Sequence, residues 1–158
     1  MIYNEQKGDL FDLDEKFALA HCISADTNNP KSWGLGIIKE FRKRFPYIKE
    51  YVDLTMEKND LTYPCVVIHY VSNNNSIKDD RVIFNLVTKA KYYSKPTYST
   101  ITKCIKEMAC LCKSMNIKYL GMPKIGCGLD KLNWDKVKQI IKREFKDLDI
   151  QIEVRYLL

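Results

Sequence analysis

Two residues far apart in the sequence have side chains that could carry out a reaction. Lys89 closely follows the apolar run 82–87, and Asp130 follows a turn with two glycines, 126–128. A lysine at the end of a buried strand is partly desolvated, and desolvation favours the neutral amine, which is nucleophilic. Considered alone, however, Lys89 fits a solvated lysine at a strand terminus at least as well. Asp130 alone also fits an acid that interacts with a helix dipole near a helix start.

The segment 122–130, which reads MPKIGCGLD, has the pattern of an anion-binding turn. It follows a short apolar run and precedes a helix-like segment that opens near Asn133 and Trp134. A strand, a glycine turn and a helix in succession present backbone N–H groups to an anion. The acid at its end, Asp130, would be repelled by a bound phosphate unless it points past it. We therefore interpret the segment as a phosphate-binding turn whose carboxylate faces the far end of a nucleotide-like ligand.

Three other polar loops follow predicted strands, at residues 8–11, 24–36 and 88–91. In α/β folds, ligands bind where loops diverge at the carboxyl ends of strands, so these loops and 126–130 are expected to converge. Asp9 has two interpretations: it caps a short helix, or it accepts a hydrogen bond from an exocyclic amine. The pair Gly34 and Gly36 before a helix is weak support for a ligand, because such glycines also serve packing.

The elements that must position these loops alternate between strands and helices. The run 17–23 predicts a strand buried on both faces, and the runs 66–71 and 82–87 predict a hairpin across a turn at Ser72 to Arg81 that includes Asn73 to Asn75. The alternating segment 150–156 predicts a half-exposed strand.

Helical periodicity marks three further segments. They are residues 37–45, a long amphipathic helix after Pro96, and 137–145 with Asn133 as its N-cap. Strands interleaved with helices predict an α/β layer architecture with a mixed sheet.

Composition narrows the class of protein. The chain has 158 residues, a net charge of +6 and no apolar run long enough to span a bilayer, and its N-terminus lacks a signal-peptide pattern. We expect a cytoplasmic protein that does not contact membranes. None of the six cysteines forms a C-x-x-C pair, and neither histidine lies at a ligand spacing, so we expect no metal site. The modest positive charge favours an anionic partner without indicating a nucleic-acid patch.

Taken together, the motifs identify a family resemblance that covers nearly the whole chain. In order along the sequence they are GDLF (8–11), AHCISAD (20–26), GLG (34–36), LVTK (86–89), KPTY (95–98) and MPKIGCGLD (122–130). Six motifs in register closely resemble the macrodomains of the terminal ADP-ribose protein glycohydrolase type.

The resemblance implies a three-layer α/β/α fold, with a central mixed β-sheet, that forms one macrodomain over residues 1–158. It implies that Asp9 binds the adenine amine, with the Leu10 backbone beside it. Ser24 and the loop Gly34, Leu35 and Gly36 would lie along the diphosphate and distal ribose. The diphosphate would be held by the backbone of Ile125, Gly126, Cys127, Gly128 and Leu129.

The activity implied is hydrolysis of mono-ADP-ribosyl esters on glutamate and aspartate, with Lys89 as nucleophile and Asp130 as acid/base, and without a cofactor or metal. The expected partners are ADP-ribose and ADP-ribosylated protein, bound by a monomer. Three alternatives stay open: the same chemistry on ADP-ribosylated DNA bases, a non-catalytic ADP-ribose reader, and deacetylation of O-acetyl-ADP-ribose as a side activity.

Two features depart from the family pattern. The loop 26–33 is longer than expected and ends in Trp33, and we expect this to narrow the distal-ribose end of the cleft or to change which attached target is accepted. At the C-terminus, Arg155 stands near the position where an aromatic residue beside adenine is expected, and Tyr156 is the alternative stacking residue.

Overall fold

The secondary structure consists of six strands, four α-helices and two short 3-10 turns within residues 1–71 and 81–157, the part of the chain that the computed structural model describes. The strands are β1 (Ile2–Lys7), β2 (Ala18–Ser24), β3 (Cys65–Val71), β4 (Arg81–Lys89), β5 (Tyr119–Met122) and β6 (Gln151–Tyr156). The helices are α1 (Ile37–Arg44), α2 (Ile48–Lys58), α3 (Tyr98–Ser114) and α4 (Trp134–Phe145), and the 3-10 turns are Leu10–Asp12 and Pro30–Trp33.

All six strands form one sheet in the order β1-β6-β5-β2-β4-β3. Every neighbouring pair is parallel except β3 and β4, which are antiparallel. The predicted mixed sheet and the predicted pairing of the two strands around residue 75 are therefore confirmed. The predicted turn between them falls on residues 72–80, which lie outside the described residues, and on Arg81, which begins β4.

Helices cover both faces of the sheet because its central strands are apolar on both sides. In β4, Ile83 and Val87 face the core under α1 and α2, while Phe84 and Leu86 face the core under α3 and α4. Alternate side chains of a strand point to opposite faces, so a near-continuous apolar run needs a layer on each side. The result is the three-layer α/β/α arrangement that the family resemblance implies.

Helix ends follow the sequence where capping residues are present. The Asn133 side chain accepts a hydrogen bond from the Lys136 N–H and begins α4, as predicted. Thr97 begins α3 through a capping box with Thr100. No described helix is long and apolar enough to cross a membrane.

The strand β6 differs from the prediction of a half-exposed strand. Ile152, Glu153 and Val154 are all buried, because β6 lies between β1 and β5 and not at a sheet edge. The buried Glu153 carboxylate accepts hydrogen bonds from the side chains of Asn4 (3.1 Å) and Gln151 (2.9 Å). Both bonds end on Oε1, while Oε2 has no hydrogen-bond partner within the described residues and lies 3.9 Å from an Arg155 guanidinium nitrogen. The polar residue that suggested solvent exposure is thus partly paired inside the protein.

Candidate active site

Four loops meet in a cleft of about 860 Å³ above the carboxyl ends of the strands. They are the loops after β1, β2, β4 and β5 that the sequence predicted to converge, and each contributes lining residues. Because these four strands are parallel, their carboxyl ends reach the same edge of the sheet, which brings loops distant in sequence together.

Lys89 and Asp130 form an ion pair inside this cleft. The distance from Lys89 Nζ to Asp130 Oδ1 is 2.6 Å, and each side chain is 13% exposed. Lys89 is the last residue of β4, and Asp130 lies four residues after Gly126 in the loop following β5. The cleft thus holds an amine and a carboxylate at proton-transfer distance, which is the arrangement that a nucleophile and its acid/base partner require.

Gly126 gives the loop after β5 its shape. Its φ of +74° lies in the region that favours glycine, and a Cβ atom there would lie 2.6 Å from Ile101 Cδ1. In this loop the Ile125 N–H donates to Pro123 O and the Cys127 N–H to Lys124 O. The N–H groups of residues 128 and 129 make no hydrogen bond within the described part of the chain, so they are available to an anionic ligand.

Nine of the eleven predicted binding residues line the cleft, and two do not. Ile125 is 2% exposed and packs in the core beneath α3 and α4, and its N–H is already hydrogen-bonded. Gly34 ends the 3-10 turn Pro30–Trp33 and donates its N–H to Lys31 O. The lining residues are Asp9, Leu10, Ser24, Leu35, Gly36, Gly126, Cys127, Gly128 and Leu129.

The expectation that Trp33 narrows the cleft is wrong. Trp33 is 1% exposed and packs below the loop, near His21 and in the core that contains Phe41. It does not line the cleft. A large apolar ring at the end of a polar loop is more stable buried than beside a polar ligand, so Trp33 anchors the loop and leaves Leu35, 70% exposed, at the rim.

Asp9 fits both of its interpretations. Its Oδ1 accepts a hydrogen bond from the Phe11 N–H at 2.9 Å and caps the 3-10 turn Leu10–Asp12. Because a carboxylate has a second oxygen, this cap leaves an acceptor at the side of the cleft formed by Asp9 and Arg155. Arg155 and Tyr156 both line that side, and Lys124 Nζ lies 4.0 Å from the Tyr156 ring centroid.

Ser24 and Asp26 connect the loop after β2 to the segment that follows Lys89. Ser24 Oγ donates to Asp26 Oδ1 at 2.6 Å, and Asp26 Oδ2 accepts from the Tyr92 N–H at 3.1 Å. The Ala25 N–H donates to Lys89 O at 2.8 Å. These bonds fix the position at which the backbone presents the Lys89 side chain.

Two thiols lie in the cleft but are poor nucleophiles. Burial raises the pKa of Cys22 well above its usual value and raises the pKa of Cys127 to about 11. Both thiols are therefore protonated near neutral pH, and the thiolate is the reactive form. Among the described residues no cluster of three His, Cys, Asp or Glu side chains is placed to hold a metal ion. The amine of Lys89 is the better candidate for a nucleophile.

Sequence reasoning missed several residues that line the cleft. Tyr92 and Tyr93 follow Lys89 by three and four positions, and Lys31 and Lys124 lie in two of the other loops. Lys95 donates from Nζ to Leu129 O at 2.6 Å. The signal available was proximity in sequence to Lys89, because a loop that begins at the site usually continues along it.

Comparison with known proteins agrees with this geometry. A family model described as Macro domain matches residues 26–141. The ADP-ribose glycohydrolase OARD1 of Homo sapiens is 34% identical over 148 residues, which covers 94% of this chain and 87% of that protein. The DNA ADP-ribosyl glycohydrolase of Thermus aquaticus is 22% identical over 116 residues, which covers 73% of this chain and 31% of that protein. The solved structure of Thermosipho africanus DarTG in complex with ADP-ribose matches 98% of this chain and 41% of that chain, with 18% identity and a TM-score of 0.82.

Proposed function

The chain belongs to the macrodomain family, and on that premise we propose that it is a hydrolase that removes ADP-ribose from glutamate and aspartate side chains. The observation that carries the proposal is the ion pair between Lys89 Nζ and Asp130 Oδ1 at 2.6 Å in the cleft. Similarity over 94% of the chain to a protein named ADP-ribose glycohydrolase supports the same activity. A protein that only binds ADP-ribose has no need for this pair.

The ligand is proposed to lie across the carboxyl ends of the strands. Adenine lies beside Asp9, and the diphosphate lies against the backbone of the loop 126–129, where two N–H groups have no other partner in the described chain. This placement brings the distal ribose towards Lys89 and Asp130. The positive side chains of Lys31 and Lys124, which also line the cleft, favour an anionic ligand.

The reaction proceeds in two displacements at the anomeric carbon of the distal ribose. Asp130 accepts a proton from the Lys89 ammonium, and the resulting amine attacks this carbon. A C–N bond forms, and the C–O bond to the protein carboxylate breaks, releasing the carboxylate. Water then attacks the same carbon as the C–N bond breaks, and the proton that the water loses passes through solvent to the released carboxylate. Asp130 returns its proton to the amine and so restores the Lys89 ammonium. The sum is ester plus water giving ADP-ribose and a carboxylic acid.

A turnover assay with a protein ADP-ribosylated on glutamate tests this proposal. The unchanged protein releases free ADP-ribose, Lys89→Ala releases none, and Asp130→Asn is slower by about 10²- to 10⁴-fold because proton transfer is lost. Lys118→Ala is the matched control, since Lys118 pairs with Asp149 at 3.2 Å and does not line this cleft. Full activity of Lys89→Ala would show that the lysine mechanism is wrong.

A second candidate substrate is ADP-ribose linked to a DNA base, cleaved by the same pair. The net charge of +6 and the lysines around the cleft favour a polyanionic substrate, and one relative is named DNA ADP-ribosyl glycohydrolase. Parallel assays with ADP-ribosylated glutamate protein and with thymidine-linked ADP-ribosyl DNA separate the two. Deacetylation of O-acetyl-ADP-ribose, measured in the same assay, reports the side activity that the same cleft would support. Binding of ADP-ribose without turnover of any of these substrates would instead assign the protein as a reader.

A further inference from the structure

The order of the strands gives the cleft a direction. Asp9 follows β1 and Arg155 lies in β6, so the end assigned to adenine is at one side of the sheet. The loop 126–130 follows β5, and Lys89 ends β4, two strands further across. The segment 90–95 continues from Lys89 and supplies three more lining residues. This segment therefore lies past the ion pair, at the side where the group attached to the distal ribose would sit.

Tyr93 presents a large apolar ring at that side of the cleft. Its side chain is 71% exposed, and the Tyr92 ring supports it edge-on, with centroids 5.2 Å apart and an interplanar angle of 87°. The segment is fixed at both ends, by the Tyr92 N–H to Asp26 bond and by the Lys95 to Leu129 bond. An exposed ring on an anchored segment offers a flat face without a large ordering cost on binding.

The charged residues next to this ring in the sequence are positive. Residues 91–95 read KYYSK, so Lys91 and Lys95 flank the two tyrosines, and no acidic residue occurs from position 89 to 97. Two acids contact the segment: Asp130 is paired with Lys89, and Asp26 accepts hydrogen bonds from Ser24 Oγ and the Tyr92 N–H. An aromatic ring with lysines on both sides is the combination that binds single-stranded nucleic acid, through base stacking and phosphate contacts. An acidic peptide would use the charges but would leave the ring without a partner.

We propose that Tyr93 stacks on a nucleobase next to the ribosylated position of a nucleic-acid strand, while Lys91 and Lys95 lie along its phosphates. Tyr93 is then a specificity-determining residue: it selects what is attached to ADP-ribose and does not take part in bond cleavage. The proposal rests on the proposed hydrolase function only in using the same cleft and the same ligand direction.

The test compares two affinities in the Lys89→Ala protein, in which turnover is absent. The ligands are free ADP-ribose and a short single-stranded oligonucleotide that carries ADP-ribose on one thymine. The Kd of free ADP-ribose divided by the Kd of the oligonucleotide measures how much the strand adds to the affinity. Tyr93→Leu reduces that ratio by roughly 5- to 150-fold, because stacking on one base is lost. Tyr93→Phe keeps the ring and restores the ratio. Tyr70→Leu is the control, since Tyr70 is 60% exposed on β3 and does not line the cleft.

An ADP-ribosylated glutamate peptide provides the competing arm. The Kd of free ADP-ribose divided by the Kd of this peptide gives the corresponding ratio for a protein target. If Tyr93→Leu leaves the oligonucleotide ratio unchanged, or lowers the peptide ratio by the same factor, the stacking site is wrong. Thermal unfolding of each variant verifies that it is folded. Turnover by the unchanged protein on both linkages is measured separately. Absence of turnover contradicts the proposed function, whereas an unchanged Kd ratio contradicts only the stacking site.

Discussion

A lysine and an aspartate 41 residues apart in the sequence lie 2.6 Å apart in the cleft. Each was predictable as a candidate only because six motifs occur in family order, since Lys89 and Asp130 have commoner structural interpretations when taken singly. Their distance could not be predicted, because it depends on the parallel arrangement of β2 between β5 and β4. The same limit applies to Ile125, whose burial is set by tertiary packing that the motif does not reveal.

Substitution of Asp9 can distinguish its role as a helix cap from its proposed role in ligand binding. Asp9→Asn keeps an oxygen for the Phe11 N–H, so the 3-10 turn and the unfolding temperature stay unchanged. At the second oxygen, the substitution either puts an NH2 donor opposite the adenine amine or keeps an oxygen that no longer carries negative charge. Because the adenine amine needs an acceptor, we expect the Kd for ADP-ribose to rise about 10- to 100-fold. Isothermal titration calorimetry with ADP-ribose, alongside thermal denaturation, measures both. An unchanged Kd would place adenine elsewhere.

At the scale of elements, apolar periodicity predicted the other strands and three helices but missed α2, and the strand expected before the loop 8–11 was given no bounds. The strand β1 reads IYNEQK, is mostly exposed and lies at a sheet edge, so it has no apolar run to detect. The helix α2 buries only Ile48, Val52 and Met56, a sparse pattern beside aromatic and charged residues. The burial of β6 was predicted wrongly, because alternation in sequence does not distinguish a half-exposed strand from a central strand that buries a hydrogen-bonded Glu153.

Substitution by alanine should destabilise the protein at Gly126 and leave its stability almost unchanged at Gly128, although both glycines lie in the same loop. Gly126→Ala forces a Cβ into left-handed backbone and to within 2.6 Å of the buried Ile101, so it should lower the free energy of unfolding by about 1–3 kcal/mol. Gly128→Ala has no atom within 4 Å of the new Cβ and should change the free energy of unfolding by less than about 0.5 kcal/mol. Urea unfolding measures both values, and equal losses would contradict this explanation of the loop.

At the scale of the whole molecule, a hydrophobic core packs against each face of the sheet. The core under α1 and α2 contacts a buried polar residue. His21 is fully buried in β2, with Nε2 2.6 Å from Asn85 Oδ1 and its ring stacked on Phe41 at 3.9 Å. The bond to Asn85 satisfies Nε2, whereas Nδ1 has no partner within the described residues.

This histidine should make stability depend on pH. Burial lowers the pKa of His21 to about 4, whereas an unfolded histidine has a pKa of about 6.5. The unfolded state therefore binds more protons between these values. The contribution to stability is complete above pH 6.5 and is lost as pH falls towards 4, by up to roughly 3 kcal/mol. Urea unfolding at pH 7 and 4.5 should show a smaller difference for His21→Gln than for the unchanged protein. An equal difference in both proteins would show that other groups cause the pH dependence.

The central claim is that Lys89 bonds covalently to the distal ribose. Peptide mass spectrometry after mixing with ADP-ribose tests it directly, using the unchanged protein, Asp130→Ala and Lys89→Ala. We predict an adduct of ADP-ribose minus water on Lys89 in the Asp130→Ala protein. Water can slowly take the Lys89 proton in place of Asp130, whereas release of the amine by hydrolysis lacks its proton donor. We predict no adduct in Lys89→Ala. An adduct distributed over exposed lysines such as Lys91, or turnover by the unchanged protein with no adduct at Lys89 in either lysine-containing protein, would contradict the account.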